Sequence, residues 1–176
     1  MRRRFDEQLE LLHTSMIRMG ALCEDAIASA TKALLEGDAS FGEKAMALEQ
    51  DINLQEREIE QACLRLLLHQ QPVAITAAQK MVTDMERIGD QAADIAELSA
   101  FMQGSPVGSD VHIADMARAT IKMVTDSIDS FVAGNQAKAR AVIAYDDVVD
   151  DLFSKIKGEL IEQLVQDSSL AEDCLD

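Results

Sequence analysis

The residues of this chain with the most chemical potential are carboxylates recurring at helical spacing. Glu86, Asp90 and Asp94 stand four apart within Glu86-Arg87-Ile88-Gly89-Asp90-Gln91-Ala92-Ala93-Asp94, with Glu97 beside them. Positions four apart are neighbours on a helix surface, so these acids form one row. At 100° per residue the row drifts only about 80° from first to last. Like charges at this spacing destabilise a helix by about 0.2–0.5 kcal/mol per pair. The same tension recurs elsewhere: Glu49 and Asn53 stand four apart with Glu56 and Glu60 on the same flank, and Asp146 and Asp150 are interleaved with Asp147 and Asp151. Side by side, such rows offer all-oxygen coordination of the kind Mg²⁺, Ca²⁺, Mn²⁺ or ferric iron accepts. The competing reading is a solvated face, because acidic helices are common. Spacing alone leaves both readings open and favours the solvated face; a metal cation on the carboxylates, if held, would be one that oxygen ligands accept, with Fe, Mn, Mg and Zn all tolerated.

Other chemistries find little support. His13, His69 and His112 lie near segment ends without Glu-x-x-His spacing, which disfavours di-iron oxidase or iron-storage chemistry. Cys23, Cys63 and Cys174 are far apart, odd in number and lack a Cys-x-x-Cys pair, so they read as reduced thiols. No Gly-rich phosphate loop, Ser/His/Asp constellation or pocketed acid pair is legible, and no catalytic residue is expected. Arg87, inside the acid row, reads as a charge partner for its neighbours rather than as a phosphate ligand.

The elements that must position the carboxylates emerge from composition and breakers. The 176 residues hold 48% hydrophobic side chains but 3% aromatics, eight Gly and two Pro. That balance predicts an all-α protein built on Ala, Leu, Ile and Met. With 32 acids against 16 Lys and Arg, the net charge is −16, which argues against nucleic acid and bare anionic lipid as partners. Acids at Asp6, Glu7 and Glu10 interrupt the stretch after Met1-Arg2-Arg3-Arg4, and no run approaches ~20 apolar residues. A cytoplasmic protein without membrane insertion is expected. Gly37-Asp38, Gln71-Pro72, the stretch from Gly104 to Gly108 and Gly134-Asn135 divide the chain into helices over 6–36, 39–70, 73–103, 110–133 and 136–166. Asp38 suits an N-cap and Pro72 a first turn. Apolar stripes run through Ala45, Leu48, Ile52, Ile59, Cys63 and Leu66, with Gln55 interrupting. Others run through Met81, Met85, Ile88, Ala92 and Ile95, and through Val142, Tyr145, Val149, Leu152, Ile156 and Leu160. The acid row of the third helix should lie roughly opposite its stripe.

A fixed offset of 97 relates the two halves. It carries Gly37 to Gly134, Met19 to Met116, Ile52 to Val149, Asn53 to Asp150 and Ile59 to Ile156. Turns and pattern match better than letters do, which is how a duplicated helical unit looks. The first copy has three helices and the second has two. Ser169-Leu170-Ala171-Glu172 then reads as a capping box opening a further helix, so the 176 residues read as a piece of a longer chain.

Glu86-Arg87-Ile88-Gly89-Asp90 followed by Asp94 resembles the third-helix signature of the PhoU family, regulators of bacterial phosphate uptake. Similar too are Met19-Gly20, the turn from Leu34 to Asp38, the stretch from Glu49 to Asn53, and Ala62-Cys63-Leu64-Arg65 running to Gln71-Pro72. The resemblance implies tandem three-helix bundles, over 1–104 and 109–176, the second lacking its third helix at the C-terminus. It implies metal clusters on the bundle surface. Glu86, Asp90 and Asp94 match the third-helix row, Glu49 and Asn53 the second-helix row, Asp146 and Asp150 its counterpart, and Asp126 the acid on the first helix of bundle two. The partners implied are the ATPase subunit of a phosphate ABC transporter and a sensor histidine kinase, met at the inner face of the membrane. A homodimer is the default oligomer. An accessory subunit of another phosphate or ion transporter, and a carboxylate-cluster metalloenzyme, remain alternatives.

Overall fold

The computed structural model describes residues 2–67, 72–102 and 112–167. Five helices succeed one another: α1 (Arg2–Glu36), α2 (Ala39–Leu67), α3 (Pro72–Phe101), α4 (Ile113–Val132) and α5 (Gln136–Gln166). Local chemistry sets their ends. Gly37 takes φ +66° and Gly134 φ +60°, left-handed values that stop α1 and α4 without a side-chain clash. Asp38 then caps α2, its Oδ1 accepting from the Ser40 amide at 2.9 Å. Asn135 caps α5, accepting from the Lys138 amide at 3.0 Å. Pro72 opens α3, where its missing N–H costs nothing. The capping box at Ser169–Glu172, His69 and Cys174 lie outside the described residues.

The first three helices close a bundle in which α1, α2 and α3 each pack on the other two. Leu12, Met16 and Met19 of α1, Ile52 and Ile59 of α2, and Ile75 and Val82 of α3 are fully buried. Cys23 and Cys63 join this core as free thiols. Burial pushes the Cys23 thiol up to about 12, with Glu24 adding to the effect, which leaves it a small hydrophobe rather than a nucleophile. Gln55 interrupts the α2 stripe yet is buried, its Nε2 donating to Glu58 Oε2 at 3.2 Å.

The α3 stripe differs from expectation. Met85 and Ala92 are core, but the rest of the buried face is Ile75, Ala78, Val82, Gly89, Ala96 and Ser99. Small residues face α2 because the two helices approach closely there. Ile95, 41% exposed, instead lines a groove with Ile88. The buried face is therefore rotated, and the acid row flanks the core rather than opposing it.

The second unit is joined through α4, which packs on α1 and α5, whereas α5 packs on α4 alone among the described helices. Thr125 Oγ1 donates to Glu24 Oε1 at 2.6 Å across the α1–α4 contact. Val124 and Ile128 extend the first core, while α5 contributes Ile156 as its one buried residue. The architecture is all-α, a three-helix bundle with a second bundle after it, incomplete at its C-terminal side among the described residues. No described helix is long and apolar enough to cross a membrane.

Candidate functional site

The seam between α2 and α3 holds four of the acids singled out by their spacing, Glu49, Glu56, Glu86 and Asp90. Gly42 faces Ala96 and Ile52 faces Gly89, so the two helices run antiparallel. A Cβ on Gly89 would come within 2.9 Å of Ile52 Cδ1 and 3.2 Å of its Cγ2. The glycine of the Glu-Arg-Ile-Gly-Asp motif is therefore a packing residue: its missing side chain lets the helices close. That closure brings half-buried Glu86 and Asp90 to the flank of α2 that carries Glu49, Asn53 and Glu56.

Electrostatics at the seam are repulsive. Burial pushes the Glu86 carboxyl above its usual range, and Asp90, Glu56 and Glu49 push it further. Glu56 is raised by burial, by Glu60 and by Asp90, against the opposing pull of Arg57. Asn53 relieves part of this by donating its Nδ2–H to Glu49 Oε1. Arg87 turns outward, its Nη1 3.6 Å from Asp84 Oδ1, in keeping with a charge partner. Asp94 is exposed beyond the seam.

The expectation of metal cations on these carboxylates is corrected by the structure. Among the described residues no group of three or more His, Cys, Asp or Glu side chains is arranged to hold a metal ion. The reasons differ by row. On α2 the row is broken by the amide of Asn53, which donates to Glu49, while Glu49 and Glu56 act on Glu86 through space. Asp126, expected as an acid of the second cluster, is taken up by Lys122 and by Lys138, the latter at 3.0 Å. Those two hydrogen bonds hold its carboxyl below the usual range. Asp146 and Asp150 are exposed on α5, with no third helix beside them among the described elements. The spacing reported repulsion correctly: at the seam it remains in the raised Glu86 and Glu56 carboxyls, with the Asn53 amide donating to Glu49, whereas Asp126 is met by Lys122 and Lys138.

Sequence reasoning missed the polar ties of the second unit. Lys138 bridges Asp126 and Asp129 (2.8 Å) from α5 to α4. His112, just before α4, places its Nδ1 2.8 Å from Glu159 Oε1, and Lys155 Nζ stands 2.8 Å from its Nε2. The spacing of Lys122 and Asp126, four apart, was a legible signal; the cross-helix partners were not.

Both halves of the chain, residues 16–99 and 113–176, match the model of the PhoU domain. The chain belongs to the PhoU family. A relative from Clostridium acetobutylicum, described as a phosphate-specific transport system accessory protein PhoU homolog, is 34% identical over 175 residues. The match covers 96% of this chain and 80% of that one. The PhoU homolog of Aquifex aeolicus is 33% identical, over 92% of this chain and 76% of its own. The crystal structure of PhoU from Pseudomonas aeruginosa superposes with a TM-score of 0.87 at 29% identity, over 97% of this chain and 85% of that one. A PhoU-family reading accounts for the duplicated pattern, since the domain model matches each copy. It also identifies Glu86–Asp94 as part of a helix lying within the first match.

Proposed function

We propose that this chain regulates phosphate uptake and the signalling coupled to it, acting by contact with other proteins rather than by catalysis. The observation that carries this reading is the match along nearly the whole chain to relatives described as phosphate-specific transport accessory proteins. The fold is consistent with such a role. Its long helices form a rigid scaffold with an acidic outer surface, and α5 displays Ile143, Phe153, Ile161 and Val165 to its surroundings. Two units, 1–104 and 109–176, would offer separate contact faces. The partners in this reading are the ATPase subunit of the phosphate ABC importer and a sensor histidine kinase, engaged in the cytoplasm at the inner membrane face. The chain itself is a homodimer in the same reading.

The test is direct. The purified chain mixed with the importer's ATPase subunit from the same genome should co-elute with it and lower its ATP turnover. A strain lacking the gene should keep a phosphate-starvation reporter active in phosphate-rich medium. Normal repression in that strain, with no complex formed, would overturn the reading.

A further inference from the structure

At the closed end of the first bundle a cavity of about 330 Å³ opens between the end of α1, the start of α2 and the end of α3. Much of its wall is short side chains, Ala33, Ala39, Gly42, Ala96 and Ala100, with Met46 as the one long apolar side chain besides Phe101 among the described lining residues. Phe101, 86% exposed, stands among its lining residues and is the most exposed large hydrophobic of the described chain. An apolar hollow beside an uncovered aromatic ring is an unfavourable surface for water, and such surfaces mark contact sites. Closed on three sides by helices, it is shaped for one bulky side chain, as anchor pockets at protein interfaces are.

Charge selects the occupant. The ionisable residues lining the cavity are Asp38, Glu43 and Glu97, with no Lys or Arg among the described lining residues. Lys32, nearby on α1, is engaged over the Phe41 ring at 5.0 Å. The carbonyl ends of α1 and α3 and the opposing amide end of α2 all reach the cavity, so the three carboxylates set the sign of its rim. A second copy meeting the cavity face to face would bring the same three carboxylates to the contact and be repelled. We propose that this cavity is the docking point for a cationic segment of a partner protein, one aromatic or large aliphatic side chain filling it while flanking Lys or Arg residues meet the acidic rim. The proposal deepens the regulatory reading by specifying the partner's chemistry, and rests on that reading for its biological meaning.

The probe is the acetylated, amidated peptide Lys-Arg-Ala-Phe-Ala-Arg-Lys, compared with a version carrying Ala for Phe and one carrying Glu for every Lys and Arg. Alanine methyl and backbone NMR shifts on the intact 176-residue chain report the site. The Phe peptide should shift Ala33, Ala39, Ala96 and Ala100, and the Ala version should bind at least tenfold more weakly. The Glu version should leave those signals unmoved, and added salt should weaken the Phe peptide severalfold. Gly42→Leu is designed to fill the cavity it lines; a Cβ there meets Ala96 only at ordinary contact, 3.7 Å or more, and the remaining leucine carbons would occupy the hollow. It should cost the Phe peptide at least tenfold. Ala100→Leu, at an exposed position, gives the same test should Gly42→Leu fail to fold. Shifts confined to another surface, equal binding of the Phe and Ala peptides, or undiminished binding to a folded cavity-filled variant would overturn the proposal. So would self-association at the cavity in place of peptide binding. These readouts involve no phosphate response. Peptide capture with intact phosphate repression in the deletion strain would therefore retain the pocket and reject the phosphate reading, while the reverse result would do the opposite.

Discussion

The two units use one repeated pattern and reach different physical states. In the first, three helices shut around Ile52, Ile59 and Met16, and its acids crowd a seam in which burial and neighbouring carboxylates raise the proton affinity of Glu86 and Glu56. In the second, α5 rests on α4 alone among the described helices, and its cohesion runs through Lys138, Asp126, Asp129, His112 and Glu159. The difference shows that a shared stripe does not ensure equal burial. With one described neighbour α5 buries Ile156 alone, whereas α2, packed on two helices, buries its stripe nearly throughout.

The sharpest way to break that comparison is to truncate the same residue in both copies. Ile59 is fully buried, while its counterpart Ile156 retains 7% exposure on a helix with a single described neighbour. Ile59→Ala should cost about 4 kcal/mol and Ile156→Ala about 2 kcal/mol, measured by urea denaturation. Equal losses would show that the second unit is as tightly covered as the first.

Glycines sharpen it next. Gly89 and Gly158 both sit inside helices, yet a Cβ at Gly89 meets Ile52 at 2.9 Å whereas one at Gly158 meets nothing within 4 Å. Gly89→Ala should destabilise by about 1–2 kcal/mol through overpacking. Gly158→Ala should stabilise by about 0.5–1 kcal/mol through helix propensity alone. Thermal melts of the two variants should move in opposite directions; a gain at Gly89 would mean that α2 and α3 are not held at contact there.

How much of this was legible in the sequence divides along the same line. Helix ends were readable because their causes are local: Gly37 and Gly134 need left-handed backbone, and Asp38 and Asn135 cap within three residues. The PhoU signature was readable because several separate motifs agreed across the chain. The buried face of α3 was legible in part: Met81, Met85, Ile88 and Ala92 lie in or against the core, but Ile95 outranks in hydrophobicity the smaller Gly89 and Ala96, which the fold buries. Helix spacing, set by those small residues, decided what was covered. The carboxylate rows were seen, but not their relief. That depends on side chains that are not acids: Asn53, one turn along the same helix, donates to Glu49, and Lys138 reaches from α5 to Asp126 on α4.

The smallest effect separates the two kinds of acid by pH. Glu86 has a folded-state carboxyl raised above its unfolded value by burial and by Asp90, Glu56 and Glu49. Its ionised form therefore costs stability: the penalty is absent below the unfolded value and fully present once pH has risen through the raised one. Glu86→Gln should thus raise the melting temperature at pH 7, and the advantage should fade as pH falls into the ordinary carboxylate range. Asp126 is lowered by its hydrogen bonds from Lys122 and Lys138, so its ionised form contributes stability above the unfolded value and loses it as pH falls through the depressed one. Asp126→Asn should therefore lower the melting temperature at pH 7 and converge with the parent in acid. Each variant is measured against the parent at the same pH, which cancels the general effect of protonating an acidic protein. Two curves with the same sign at pH 7 would mean that seam and bridge carboxylates do not differ, and the contrast between the units would then rest on apolar packing alone.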